Sequence, residues 1–133
     1  MCKPKTNKKA RLLRIEVIKL LYQYDFYDSN FDPLSGRIKT VDPCFNQIIN
    51  KLQSIDEIII KNLFNYKLNR LNKIDKAIIR WATFELLEKT TPHAIIIDEA
   101  VELTKQFCNL NDEKQHKFNN KLLDKIRLQL QGK

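Results

Sequence analysis

Arg11 and Arg14 stand one helical turn apart, and Tyr22 follows them in a stretch free of glycine and proline. Guanidinium groups pair with phosphates and an aromatic ring beside them offers a stacking surface, which is the chemistry of single-stranded RNA recognition. The other reactive side chains do not converge. His93 and His116 fall on separate predicted helices, and neither has a metal-type neighbour such as HExxH. Cys2, Cys44 and Cys108 are widely separated, odd in number and in no CxxC spacing, so they read as reduced thiols. Asp98 and Glu99 are adjacent, and adjacent helical residues point in different directions, so they form no acid–base dyad. Gly36 and Gly132 each stand alone, which excludes GxGxxG and phosphate loops. No enzyme, metal or cofactor is expected.

The net charge of +8 is carried by the two ends of the chain. Residues 1–20 sum to +6 and residues 114–133 to +5, while the stretch between them is −3. Clustered Lys and Arg release condensed counterions on meeting phosphates, so this polarity favours a polyanionic partner over a uniformly solvated basic surface. Lysine outnumbers arginine 18 to 6 and Ile and Asn are plentiful, as an AT-biased coding sequence produces, so lysine richness alone carries little weight. Arg11 and Arg14 escape that discount because two of only six arginines sit together.

The elements that position these groups are helices. Two glycines and four prolines in 133 residues leave few tight turns, and 43% apolar with 30% charged residues is a globular composition with one core. No apolar stretch approaches the roughly 20 residues of a membrane span and the Lys-rich start lacks a signal-peptide core, so a soluble, cytoplasmic protein is expected. The chain from Lys8 to about Phe26 has Leu13, Val17, Leu20, Leu21 and Tyr24 at helical spacing, with Arg11, Arg14, Ile15, Ile18 and Tyr22 on the adjoining arc. A basic arm precedes it over 1–10, and residues 28–42 read as a loop. A second helix begins at Asp42-Pro43 and runs through Phe45, Ile48, Ile49 and Leu52; Ser54, with Glu57 three residues on, then caps a third with Ile58, Ile59, Leu63 and Phe64 inward. Asn72 caps a central helix over 73–88, apolar on more than one side, whose Lys76, Arg80 and Thr83 mark the side that meets water or a partner. Thr91-Pro92 opens a helix with Ile96, Ala100, Leu103 and Phe107 inward and Asp98, Glu99 and Glu102 outward. The last helix spans about Asp112 to Leu130, with Phe118, Leu122, Ile126 and Leu130 as its stripe.

Three segments stand in order along the chain: Ile74 to Leu86 (IDKAIIRWATFEL), Pro92 followed by Ile97 to Lys105 (IDEAVELTK), and His116 to Lys125 (HKFNNKLLDK). Read together, they resemble the NusB family of transcription antitermination factors. With the basic first helix the likeness spans most of the chain. The resemblance implies an all-α, NusB-like domain of about six to seven helices in two packed bundles, occupying 1–133 as one domain. It implies a factor that binds the boxA element of ribosomal RNA leaders together with NusE (ribosomal protein S10), joins the RNA polymerase antitermination complex and suppresses premature termination. Free, such a chain is expected to be a monomer or weak homodimer. Carried over, the RNA-binding positions fall on Lys8, Lys9, Arg11, Arg14, Tyr22, Lys117 and Phe118, with Asp75 accepting hydrogen bonds from base edges. The polar sides carrying Arg80, Asp98, Glu99 and Glu102 are the candidate surfaces for the protein partner.

The chain departs from the family pattern at identifiable places. Leu12 and Leu13 interrupt the arginine cluster, Lys121 replaces the usual glycine of the closing motif, and Asn119 follows Phe118 where the family has an aliphatic residue. An alternative is therefore a protein-interaction adaptor or homodimer that keeps NusE or ribosome binding and has lost specific RNA recognition. NusB-like domains fused to ribosomal RNA methyltransferases form a third class, disfavoured here because 133 residues leave no room for a cofactor-binding domain.

Overall fold

The computed structural model describes residues 8–30, 43–63, 67–68, 71–108 and 113–131, and of the side chains within them it leaves aside 8–9, 26–30, 43, 108 and 113–115. Residues 1–7 of the expected arm, residues 31–42 of the expected loop and Phe64 therefore lie outside it, whereas 8–10 and 28–30, expected in the arm and the loop, are helical. Among the described residues the elements are six α-helices and no strand: α1 (Lys8–Asn30), α2 (Pro43–Asn50), α3 (Leu52–Asn62), α4 (Lys73–Glu88), α5 (His93–Cys108) and α6 (Glu113–Gln131). None is long and apolar enough to cross a membrane.

Helix α4 packs against every other helix, which is why its sequence is apolar on more than one side. The helices on either side of it share one continuous cluster of buried residues, including Leu21, Ile48, Ile59, Phe84, Leu103 and Ile126. Burying one such side chain contributes roughly 1.5–3 kcal/mol, so the cluster is the main source of stability. Asn72 caps α4 as expected, its side chain accepting from the Ile74 amide at 2.8 Å and the Asp75 amide at 3.3 Å. The helix ends at Lys89, a non-glycine residue at φ 58° whose amide donates to the Glu85 carbonyl at 3.2 Å.

Several sequence expectations are corrected by packing. The Lys76, Arg80 and Thr83 side of α4 is buried rather than facing water or a partner. Encircled by neighbours, α4 has no free side, and its cations are neutralised from other helices instead. Helix α3 starts at Leu52 with Lys51 as its cap residue and no side-chain cap bond, so Ser54 lies inside the helix. The Lys51 amide bonds to the Gln47 and Ile48 carbonyls while its own carbonyl accepts from Ile55, so the chain passes from α2 into α3 without the gap a serine cap needs. Helix α5 begins at His93, with the Pro92 carbonyl accepting from Ile95 and Ile96. Cys44 is disulfide-bonded, which overturns the reading of all three cysteines as reduced thiols. Widely spaced cysteines carry no local pairing signal, so only the tertiary arrangement reveals a bridge.

Candidate nucleic-acid interface

Helix α1 presents a different arc to the core from the one expected. Ala10, Arg14, Val17, Ile18 and Leu21 are buried, whereas Leu12 and Leu13 are 66% and 57% exposed. Arg14, expected on the flank of the apolar stripe, is inside it, with a side chain only 3% exposed. A guanidinium tolerates that position only when paired. Its Nη1 donates to Glu99 Oε1 at 3.2 Å, and its Cζ lies over the Trp81 ring, 5.7 Å from the ring centre. Trp81 is buried in the core, and it supplies a cation–π surface as well.

Glu99 also receives Arg11, whose Nε donates to Oε1 at 3.2 Å and whose Nη2 donates to Oε2. One carboxylate of α5 thus clasps two arginines of α1. The Arg11 hydrogen bonds, helped by the charges of Arg11 and Arg14 and opposed by partial burial, hold the Glu99 carboxyl below its ordinary value. Glu99, expected to face a protein partner, is mostly covered, while Asp98 and Glu102 on the same helix are exposed. Glu85, one turn beyond Trp81 on α4, is buried in the same region. Burial pushes its carboxyl up to about 7, with Arg14 opposing, Glu88 adding to the rise and a hydrogen bond with Trp81 resisting it.

A second ionic group ties the other end of α1 to the start of α4. Asp25 accepts from Lys73 at 3.0 Å and from Lys76 at 3.2 and 3.3 Å, with Arg80 Nη1 at 3.5 Å. Burial pulls the Asp25 carboxyl upward, but the hydrogen bonds from Lys73 and Lys76 and the nearby cations bring it below its ordinary value. Arg80 makes a forked pair with Asp56 of α3, at 2.9 and 2.8 Å. Arg80 is therefore spent inside the fold, not offered to a partner.

Asp75 is fully buried, which corrects its expected role of meeting base edges. Its Oδ1 accepts from Asn119 Nδ2 at 3.1 Å, and the same amide nitrogen donates to Thr104 Oγ1 at 3.1 Å, whose hydroxyl donates to the Ala100 carbonyl at 2.8 Å. Asn119 is thus the polar junction of α4, α5 and α6.

Tyr22 is 39% exposed, one turn before Asp25, and so lies towards the start of α4. Phe118 is half-buried and Lys117 exposed, both beside Asn119 and hence at that same end of α4. Arg11 is half-exposed, about 16 Å along α1 from Tyr22 at 1.5 Å per residue. The side chains of Lys8 and Lys9 lie outside the description. The fold therefore brings Tyr22, Lys117 and Phe118 to one end of α4 and sets Arg11 further up α1. The roles of Trp81, Glu85 and Asp25 had no signal in the sequence, because their partners come from distant helices.

Comparison with known proteins agrees with this architecture. A family model described as the NusB family matches residues 11–127. The chain is similar to the transcription antitermination protein NusB of Sulfurovum sp. (strain NBC37-1), at 36% identity over 85% of this chain and 93% of that protein. It is also similar to the transcription antitermination protein NusB of Aliarcobacter butzleri (strain RM4018), at 39% identity over 85% of this chain and 92% of the relative. Among solved structures, T. maritima NusB superposes with a TM-score of 0.70 at 34% identity, covering 88% of this chain and 89% of that one.

Proposed function

The chain belongs to the NusB family, and from that premise we propose that it is a transcription antitermination factor that binds boxA-type single-stranded RNA jointly with NusE within the RNA polymerase antitermination complex. The observation that carries the reading is the family match across residues 11–127, which spans the arginine helix and the closing motif together. Direct phosphate contacts fall to Lys8, Lys9, Arg11 and Lys117, and base stacking to Tyr22 and Phe118. Arg14 and Asp75, being buried, act by holding α1, α4, α5 and α6 in place rather than by touching RNA. Asp98 and Glu102 are the exposed carboxylates of α5 and suit a basic protein partner such as NusE.

The test is fluorescence anisotropy of a labelled boxA RNA and a scrambled control, with and without NusE, at two salt concentrations. Preference for boxA that NusE strengthens and salt weakens is the expected result, with Arg11→Ala lowering affinity while helicity is retained. Equal, weak binding to both RNAs with no effect of NusE overturns the proposal. A second reading, a protein-interaction adaptor or homodimer, draws on the exposure of Leu12 and Leu13 inside the basic segment. Under it, sedimentation or pull-down detects association while boxA preference is absent.

A further inference from the structure

Arg11 has the geometry to hold a phosphate and is already holding a carboxylate. Its Nε and Nη2 form the edge of the guanidinium that meets phosphates or carboxylates in a fork, and both donate to Glu99. The same carboxylate takes Nη1 of Arg14, so two cations share one anion and the trio keeps a surplus positive charge. The two arginines differ in freedom. Arg14 is enclosed against Trp81, whereas Arg11 is 42% exposed in the first turns of α1. Withdrawing Arg11 leaves Glu99 and Arg14 still paired, so no buried charge is orphaned, and orphaning is what makes breaking an enclosed ion pair expensive.

We infer that Glu99 is an internal competitor for the RNA backbone, occupying the forked edge of Arg11 in the free protein and giving it up to a phosphate of the bound strand while keeping Arg14. The inference rests on the reading of α1 as an RNA-contacting helix. Binding is then an exchange of one oxyanion for another on Arg11. Such an exchange lowers affinity for every polyanion alike, because phosphate contacts carry no sequence information. Discrimination is left to the stacking and base contacts at the other end of α4. Asp98 and Glu102 bear on Arg11 only through longer-range attraction and make no hydrogen bond to it.

The experiment is anisotropy with boxA and scrambled RNA on the full chain carrying Glu99→Gln. Binding is expected to tighten about fivefold, the worth of one half-exposed ion pair, and equally for both RNAs. Glu102→Gln removes the same charge from the same helix without touching Arg11, and it is expected to change affinity less than twofold. In Glu99→Gln/Arg11→Ala the gain should vanish, leaving the affinity of Arg11→Ala alone. Because Glu99→Gln strands Arg14, the double variant Glu99→Gln/Arg14→Met is measured in parallel, and circular dichroism confirms that each is folded. A folded variant with unchanged or weaker binding overturns the inference, as does equal tightening by Glu102→Gln. Wild-type protein that binds neither RNA overturns the RNA reading itself, a result distinct from failure of the exchange alone.

Discussion

Asn119→Leu places an apolar side chain at the junction of α4, α5 and α6, and it should weaken this protein. The Asn119 amide is completely enclosed and spans Asp75 Oδ1 and Thr104 Oγ1, each at 3.1 Å. Leucine has no donor, so the enclosed Asp75 side chain loses a hydrogen bond, and leaving a buried acceptor unmatched costs about 2–3 kcal/mol. Thr104 loses about 1 kcal/mol, since its hydroxyl still donates to the Ala100 carbonyl. Burying the extra apolar surface returns about 1.5–2 kcal/mol, for a net destabilisation of about 2 kcal/mol. For a chain of this size that lowers Tm by about 8 °C. Urea unfolding followed through Trp81, the chain's single tryptophan and a buried one, should show a lower midpoint with an unchanged m-value. A variant as stable as the parent, or more so, refutes the assignment of Asn119 as the partner that Asp75 requires. It would mean that the Asp75 side chain tolerates an apolar neighbour.

Two further perturbations test other parts of the fold. Because burial raises the Glu85 carboxyl from 4.5 to about 7, its contribution is complete below about pH 4.5 and is lost as pH rises towards 7. Glu85→Gln should remove most of a decline of about 2–3 kcal/mol between pH 5 and 8, read from urea midpoints at the two values. An identical decline in the variant rules Glu85 out as its cause. Asp25 and Glu99, both lowered, lose their contributions only in more acid solution, outside that window. Lys89 ends α4 at φ 58°, where a side chain costs about 1 kcal/mol and glycine costs nothing, so Lys89→Gly should raise the urea midpoint. No gain would show that other contacts of Lys89 offset the backbone cost.

Helix positions were legible because they depend on local rules. The span 73–88 and its Asn72 cap follow from periodicity and one side chain that bonds the next amides, and the observed α4 has those limits. Helix α6 differs from its expected span by about one residue at each end. The family was legible because IDKAIIRWATFEL, IDEAVELTK and HKFNNKLLDK are contiguous strings, and the match over 11–127 bears that out. Ser54 misled because a good capping residue is only an option, and the continuous hydrogen bonding through Lys51 makes the cap unnecessary.

By itself the chain of residues determined an all-α fold, the approximate limits of its helices and the family. Each of these is a property of neighbours within a few turns, where spacing along the helix is spacing in space. Only the tertiary structure decided which charged groups are interior. Arg14 turned inward because Glu99, 85 residues away, and the Trp81 face await it there. Lys76 and Arg80 did so because Asp25 and Asp56 arrive from α1 and α3. A helical wheel records the angle between side chains but not which angle meets a counter-charge, and for a charged group in a low-dielectric interior that meeting sets whether burial is tolerable.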